Sequence, residues 1–388
     1  MRCLFVSTDK RRVVLLGATG SIGSSALKVL RMHADKLTLV GVAANRNAPA
    51  LAEICQAFQV PHAVLSEGTE EKSAAKDFPV ATDLRYGPEA LRDLALRAQA
   101  DCVLVATTGT AGLLPALTSL EAGIDLALAN KELLVLGGAH VVAAAKRGKA
   151  RLLPTDSEHN ALFQCIGAEP HRSVQRLILT ASGGAFRDTP LAALSTVTPE
   201  QALQHPTWSM GAKITIDSAT MANKGLELIE AHWLFDLPDE RLEVVIHPQS
   251  IVHSMVEFID HSTLAQLSPP CMTFAIQNCL LYPDRHPGTT PGMDFTQKLA
   301  LEFRPPDPRR YPCLGLARSA LQMGGVAPAV FNAANEIAVE RFMRREIPFT
   351  AIANCIEHAL TRIPVFPTPS LEELFASDKE ARRIARLY

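Results

Sequence analysis

Short apolar runs alternate with helical stretches through the first 155 residues, and few folds can accommodate that pattern. The runs are Arg12–Leu16, Leu37–Ala43, Pro61–Leu65, Asp101–Ala106, Asp125–Ala129 and Arg151–Thr155. The spacing predicts a helix from the Gly17–Gly23 turn to about Met32 and another over Pro49–Phe58. Apolar strands separated by helices predict a parallel sheet covered on both faces. Such a sheet receives ligands at the carboxyl ends of its strands, so the turns that follow the strands are where chemistry is sought.

Beyond Thr155 the texture changes. Arg176–Thr180, Lys213–Asp217, Glu243–His247, Val252–Ile259 and Thr263–Leu267 read as strands, and the last two adjoin through Asp260-His261-Ser262, which predicts antiparallel or mixed pairing. Prolines 283, 287, 291, 305, 306, 308 and 312 rule out a long helix there, because each fixes φ and lacks an N–H, and predict an extended linker. From Leu314 onward the period is helical, as over Asn332–Arg344 and Ser370–Leu387. A chain of 388 residues exceeds one ordinary core. The predicted divisions are 1–155, 156–282, a linker at 283–312 and a helical region at 313–388.

The charge balance narrows the partners. A formal net charge of −2 gives no reason to expect nucleic acid or a membrane surface. The longest apolar run, Leu133–Ala145, is too short to span a bilayer and contains Gly137, Gly138 and His140. Met1–Arg12 has charges without an apolar signal core, so no targeting segment is expected. The cysteines at 3, 55, 102, 165, 271, 279, 313 and 355 lack CxxC spacing, which predicts free thiols and a reducing cytoplasm.

Gly17-Ala18-Thr19-Gly20-Ser21-Ile22-Gly23 joins strand to helix, where bare backbone amides and a helix N-terminus can receive a pyrophosphate. Its spacing is GxxGxxG rather than GxGxxG, and a plain turn is the alternative. The second strand ends in Ala44-Asn45-Arg46-Asn47, which offers a guanidinium and no acid. An acid there would bind the ribose 2′-hydroxyl of NAD, whereas Arg46 suits a 2′-phosphate; a solvated surface arginine is the alternative. Asn130-Lys131-Glu132 stands at another strand's end, with Asn130 as a helix cap the competing reading.

Thr155-Asp156-Ser157-Glu158-His159-Asn160 follows the last strand of this region. In an extended segment Asp156 and Glu158 point to one side, and paired carboxylates suit Mg2+ or Mn2+. An N-cap with a first-turn acid before a helix starting near Asn160 is the alternative. A second constellation, Asp217-Ser218-Ala219-Thr220-Met221-Ala222-Asn223-Lys224-Gly225-Leu226-Glu227, carries phosphate donors in Ser218, Asn223 and Lys224. Glu227 supplies a third carboxylate for the metal or a plain ion pair with Lys224. Ser182-Gly183-Gly184 is a further donor-rich turn, and His205 and Trp208 sit in the loop His205-Pro206-Thr207-Trp208-Ser209-Met210-Gly211.

With these motifs assembled, the chain resembles the 1-deoxy-D-xylulose 5-phosphate reductoisomerase family, from GATGSIG through LANKE, DSEHNA, ASGG, HPTWSMG, DSATMANKGLE and HPQSIVHSM to NAANE at 332–336. The resemblance implies a homodimer with a Rossmann-like NADPH domain, a central α+β catalytic and dimerisation domain, and a C-terminal helical domain. It implies NADPH- and Mg2+- or Mn2+-dependent rearrangement and reduction of 1-deoxy-D-xylulose 5-phosphate to 2-C-methyl-D-erythritol 4-phosphate. By the same resemblance Asp156, Glu158 and Glu227 hold the metal. Lys131, Ser157 and Glu158 meet the substrate backbone; Ser182, Ser218, Asn223 and Lys224 meet its phosphate. His205 and Trp208 lie on a closing flap, His253 lies by the active site, and Lys131, Glu158 and His205 are the catalytic candidates. Cofactor contacts fall on Thr19, Gly20, Ser21, Ile22, Asn45, Arg46, Asn47, Asn130, Glu132 and Gly211.

Two departures from the family pattern stand out. Asn45 and Arg46 replace glycine and lysine, and Pro270-Cys271-Met272-Thr273 replaces a segment carrying two charges. A dehydrogenase of a phosphorylated substrate without isomerisation is the rival enzyme. A nucleotide sensor that has lost catalysis would require a broken site, yet Asp156, Glu158, Glu227 and Lys131 are all present.

Overall fold

The computed structural model describes residues 10–67, 76–208 and 210–388; Cys3 and most of the Met1–Arg12 stretch lie outside the described residues. The chain divides into two compact units. One comprises Met1–Leu133, His140–Asn160 and Cys271–Pro291; the other comprises Leu134–Ala139, Ala161–Pro270 and Gly292–Tyr388.

The first unit is built on a seven-stranded sheet of order β4-β3-β2-β1-β5-β6-β7. Its strands are β1 (Arg11–Leu16), β2 (Leu37–Ala44), β3 (His62–Leu65), β4 (Asp83–Tyr86), β5 (Cys102–Val105), β6 (Asp125–Leu128) and β7 (Leu152–Pro154). Every neighbouring pair is parallel. Val13–Leu16, Cys102–Val105 and Leu126–Leu128 are buried throughout, which is why they read as unbroken apolar runs rather than alternating ones. The helices α1 (Ser21–Met32), α2 (Ala48–Phe58), α3 (Gly87–Arg97), α4 (Leu113–Glu121) and α5 (Glu132–Gly148) form the crossovers. β4 was not legible in the sequence: it is an edge strand of alternating exposure, and its Asp83 and Arg85 carry none of the apolar signal.

Departing from β7, α6 (Ser157–Ile166) starts three residues earlier than the cap reading placed it. Asp156 and Glu158 therefore flank a helix start and do not lie on an extended segment. The Asp156 carbonyl accepts from the Asn160 amide at 2.8 Å, the first turn of that helix. The i, i+2 argument for their convergence fails, because polar Ser157 and Glu158 suit a helix's first turn better than a strand end.

The second unit holds a four-stranded mixed sheet of order β11-β10-β8-β9, with β8 (Val174–Ala181), β9 (Leu242–Ile246), β10 (Val252–Phe258) and β11 (Thr263–Leu267). β10 is antiparallel to β8 and β11, while β8 and β9 are parallel, as the short 260–262 turn and the long 182–241 connection require. A cluster including Leu177, Leu179, Leu228, Val256 and Tyr311 forms its core.

The predicted strand at Lys213–Asp217 is instead helix α8 (Ala212–Thr220), preceded by the single turn α7 (Pro199–Ala202) and followed by α9 (Ala222–Phe235). Ile214 and Ile216 alternate with polar residues as in a strand. The tertiary setting wins: Ile216 and Ala219 are buried at helical spacing, and Lys213 pairs with Asp217 one turn on at 2.9 Å. Met221, in the left-handed region with φ of 57°, turns the chain from α8 into α9. In the first unit, α10 (Thr273–Leu281) is followed by a stretch without helix or strand, in keeping with its prolines. α11 (Pro312–Met323), α12 (Ala327–Met343), α13 (Ala351–Arg362) and α14 (Leu371–Leu387) form the C-terminal helical region. Ser370 and Glu373 form the capping box that starts α14. Among the described residues, seven cysteines are free thiols, and no helix is long and apolar enough to cross a membrane.

Candidate active site

In the first unit the candidate residues gather at the carboxyl ends of the strands. Gly17 has φ of +85°, and a Cβ there would lie 2.4 Å from the Ala106 carbonyl oxygen. Gly23 is equally constrained, its Cβ meeting the Ala18 oxygen at 2.3 Å. Gly20 is different: its nearest neighbour would be the Gly17 oxygen at 3.4 Å, so packing does not demand it. α1 starts from Gly20 with no side-chain cap and no acid in its first turn. Amides at Thr19–Ile22 thus lie at a positive helix end with no acid in its own first turn, which fits a pyrophosphate.

After β2, Asn47 Oδ1 accepts from the Ala50 amide at 3.2 Å and caps α2. Arg46 meets an acid that the strand-end reading did not supply: its guanidinium pairs with Glu67 at 2.8 Å. Parallel pairing of β2 with β3 delivers that carboxylate from 21 residues downstream, beyond any local sequence window. After β6, Asn130 is no cap. Its Nδ2 donates to the carbonyls of Thr107 at 2.6 Å and Gly109 at 2.8 Å, tying the β5 and β6 ends together. Lys131, nearly buried, pairs with Asp156 at 2.6 Å, while Glu132 opens α5. Ser157 Oγ donates to Glu158 at 2.5 Å. Lys131, Asp156, Ser157 and Glu158 therefore form a compact polar group at the ends of β6 and β7. The altered Cys271–Thr273 segment forms a neutral network, with Thr273 Oγ1 3.0 Å from both Cys271 Sγ and Thr290 Oγ1.

The second unit carries the other candidates. Gly183 and Gly184, with φ of +79° and +68°, bend the chain after β8, and a Cβ on Gly184 would lie 2.5 Å from the Ala219 Cα. That close approach brings Ser182 to Ser218, their hydroxyls 3.3 Å apart. His205 Nε2 lies 2.9 Å from Ser182 Oγ and 3.2 Å from Ser218 Oγ. Its Nδ1 accepts from the amides of Thr207 at 3.1 Å and Trp208 at 2.9 Å. With Nδ1 accepting twice, the proton of the neutral ring is on Nε2 and faces the two serines. Burial, and then the positive charge of Arg187, hold the His205 pKa below its usual value.

On α9, Lys224 and Glu227 form an ion pair that is buried, with Asn223 Nδ2 donating to Glu227 at 2.5 Å. Trp208 stands edge-on to His253, ring centroids 6.3 Å apart, and the His253 Nε2 lies 3.1 Å from the Ser268 carbonyl. Gly211 caps α8 through its backbone. Residues outside the predicted set hold this unit's loops. Asp217 accepts from Asn335 Nδ2 at 2.8 Å; Tyr311 donates to the Gly183 carbonyl at 2.9 Å, and Arg187 to that of Ser182 at 3.1 Å. The NAANE motif carried Asn335 in plain view, but nothing in the sequence announced its partner.

The chemistry of these groups suits a divalent cation and anionic ligands: hard carboxylate oxygens, amides at a helix end, and hydroxyl and ammonium donors. Comparison with known proteins agrees. Residues 13–138 match the family described as 1-deoxy-D-xylulose 5-phosphate reductoisomerase, 152–235 that enzyme's C-terminal domain, and 267–384 the DXP reductoisomerase C-terminal domain. The 1-deoxy-D-xylulose 5-phosphate reductoisomerase of Ralstonia nicotianae is 47% identical over 383 residues, covering 97% of this chain and 98% of the relative. That of Pseudomonas putida is 46% identical over 387 residues, 98% of each. The Zymomonas mobilis enzyme, solved with NADPH, superposes with a TM-score of 0.92 at 43% identity over 98% of this chain and 99% of that one. A DOX-P reductoisomerase solved with NADPH, fosmidomycin and magnesium gives 0.90 at 38% identity over 97% and 98%.

Proposed function

Because the chain belongs to the 1-deoxy-D-xylulose 5-phosphate reductoisomerase family, we propose that it converts 1-deoxy-D-xylulose 5-phosphate to 2-C-methyl-D-erythritol 4-phosphate with NADPH and a divalent metal. The observation that carries this is the near full-length relation to a reductoisomerase solved with NADPH, fosmidomycin and magnesium.

The residue roles are part of the proposal. Asp156, Glu158 and Glu227 hold Mg2+, or Mn2+ in its place, and the hard-oxygen chemistry of the three supports this. When bound, the metal supplies Lewis acidity towards the substrate's oxygens, and NADPH supplies the reducing electrons. Lys131 stabilises charge developing on oxygen, and its 2.6 Å pairing with Asp156 supports a place beside the carboxylates. Ser157 and Glu158 orient the sugar backbone. Ser182, Ser218, Asn223 and Lys224 bind the phosphate, with His205 donating through Nε2; the contacts of the two serine hydroxyls with each other and with Nε2, and an Nδ1 that accepts from two amides, support that. Trp208 and His253 cover the substrate and exclude water. Thr19–Ile22, Asn45, Arg46, Asn47, Asn130, Glu132 and Gly211 receive NADPH. We extend the proposal to a cytoplasmic homodimer with the functional divisions 1–155, 156–282, 283–312 and 313–388. The edge strand β11, with Leu264 half exposed, supports a partner on that side.

NADPH oxidation by the purified protein with 1-deoxy-D-xylulose 5-phosphate tests the reading, with Mg2+ and with chelator. Turnover that stops on chelation and resumes with Mg2+ supports it; metal-independent turnover, or none, overturns it.

A further inference from the structure

The acid that dinucleotide-binding folds place at the end of the second strand is absent from this chain's second strand, but a carboxylate stands in that region nevertheless. The β2–β3 ladder continues past both strands: the Ser66 amide donates to the Ala44 carbonyl at 3.0 Å and the Glu67 amide to that of Asn45 at 3.1 Å. Main-chain bonds thus hold Glu67 beside Arg46, and the side chains pair at 2.8 Å. Both are open to solvent, with 78% and 53% of the side-chain surface exposed, so an incoming ligand can reach either.

A nicotinamide cofactor arriving here meets two opposed groups. Arg46 favours a 2′-phosphate, which is dianionic or nearly so. Glu67 occupies that guanidinium and repels the same phosphate, while its oxygens can accept from an unphosphorylated ribose hydroxyl. We propose that Glu67 is a specificity-determining residue that restrains the enzyme's preference for NADPH over NADH. The proposal rests on Arg46 as the 2′-phosphate ligand. On that footing the chain carries a cation that selects NADPH and, one strand over, the acid of an NAD site.

The strength of the effect is bounded. An exposed ion pair changes an equilibrium by no more than about fivefold, and salt screens it. Glu67 therefore moderates selectivity without reversing it.

Equilibrium titration of NADPH and NADH, read by cofactor fluorescence without substrate, tests this on the wild type, Glu67→Gln and Arg46→Gln. Both sites are exposed, so the variants keep the fold, and matching thermal melts verify it. Glu67→Gln is expected to tighten NADPH by about three- to fivefold at about 0.05 M salt, with NADH unchanged or weaker, and the gain should shrink at about 0.5 M. Arg46→Gln is expected to weaken NADPH alone. If Arg46→Gln behaves so but Glu67→Gln leaves the NADPH-to-NADH affinity ratio unchanged, the role of Glu67 is overturned and the 2′-phosphate reading stands. If Arg46→Gln leaves that ratio unchanged, the 2′-phosphate reading falls and takes the proposal with it.

Discussion

The buried carboxylate of Asp217 on α8 accepts a hydrogen bond from Asn335 on α12 at 2.8 Å, joining residues 118 apart in sequence. Lys213 supplies the carboxylate's second contact, at 2.9 Å. Ser218, the next residue, faces His205 and Ser182, so the amide from the helical region steadies the helix that presents the Ser218 hydroxyl. Asn335→Ala should destabilise the protein by about 1.5–3 kcal/mol, the cost of a buried hydrogen bond to a charged group. Urea unfolding measures it; a loss under about 0.5 kcal/mol would show that the contact does not brace α8.

Glu227 is expected to act on metal rather than cofactor. Glu227→Gln keeps the shape of the side chain and an acceptor for Asn223, but it removes the charge paired with Lys224. Turnover should fall by a factor on the order of 10², with a higher Mg2+ requirement and NADPH affinity held within about twofold. An unchanged Mg2+ titration would take Glu227 out of the proposed ligand set.

The two faces of His205 can be separated. Asparagine retains an acceptor near the Nδ1 position for the Thr207 and Trp208 amides, but nothing that reaches Ser182 and Ser218. His205→Asn should therefore raise the KM for the phosphorylated substrate by about 10- to 100-fold, the worth of a hydrogen bond to a charged group, and leave Trp208 fluorescence in the free protein unchanged. His205→Leu should alter both. Equal effects of the two variants on fluorescence would contradict the assignment of Nδ1 to the loop.

His247 gives the acid limb of stability a source. Fully buried, it accepts at Nε2 from the amides of Ile251 and Val252 and donates from Nδ1 to the Glu302 carbonyl. Burial lowers its pKa, with the bond to Glu302 opposing. Below the usual histidine value of about 6.5 the unfolded chain takes up a proton that the folded chain refuses. Stability rises with pH wherever the unfolded state binds more protons. The contribution is therefore full above about pH 6.5 and is lost as pH falls towards the folded pKa. Unfolding midpoints should drop between about pH 7.5 and 5.5, and drop less in His247→Gln; parallel losses in the two proteins would exclude His247 as the source.

What could be read from the sequence followed the range over which each signal acts. The β1–α1 turn was legible because Gly23 answers to the Ala18 backbone within the turn and Gly17 to its own positive φ, and the parallel sheet because strands buried on both faces need continuous apolar runs. Lys213–Asp217 misled because Ile214 and Ile216 carry a strand's alternation, while burial follows the helical spacing of Ile216 and Ala219. Asp156 and Glu158 do not share the face of an extended segment, because a helix starts at Ser157 between them. Glu67, Asn335 and Tyr311 could not be found by local pattern, since each acquires its meaning from a partner 21, 118 or 128 residues away.

The last of those distances has a bearing on how the protein is made. The loop at Gly183 leans on Tyr311, and the carbonyls of Phe186 and Thr189 on Arg310, at 2.7 and 2.5 Å. A ribosome adding about 5–20 residues per second needs roughly 6–26 s to travel from the first partner to the second. For that interval the nascent chain carries the loop's residues without its buttress. A message cut short before codon 310 would yield a product that holds the ASGG motif but lacks the contacts that shape it.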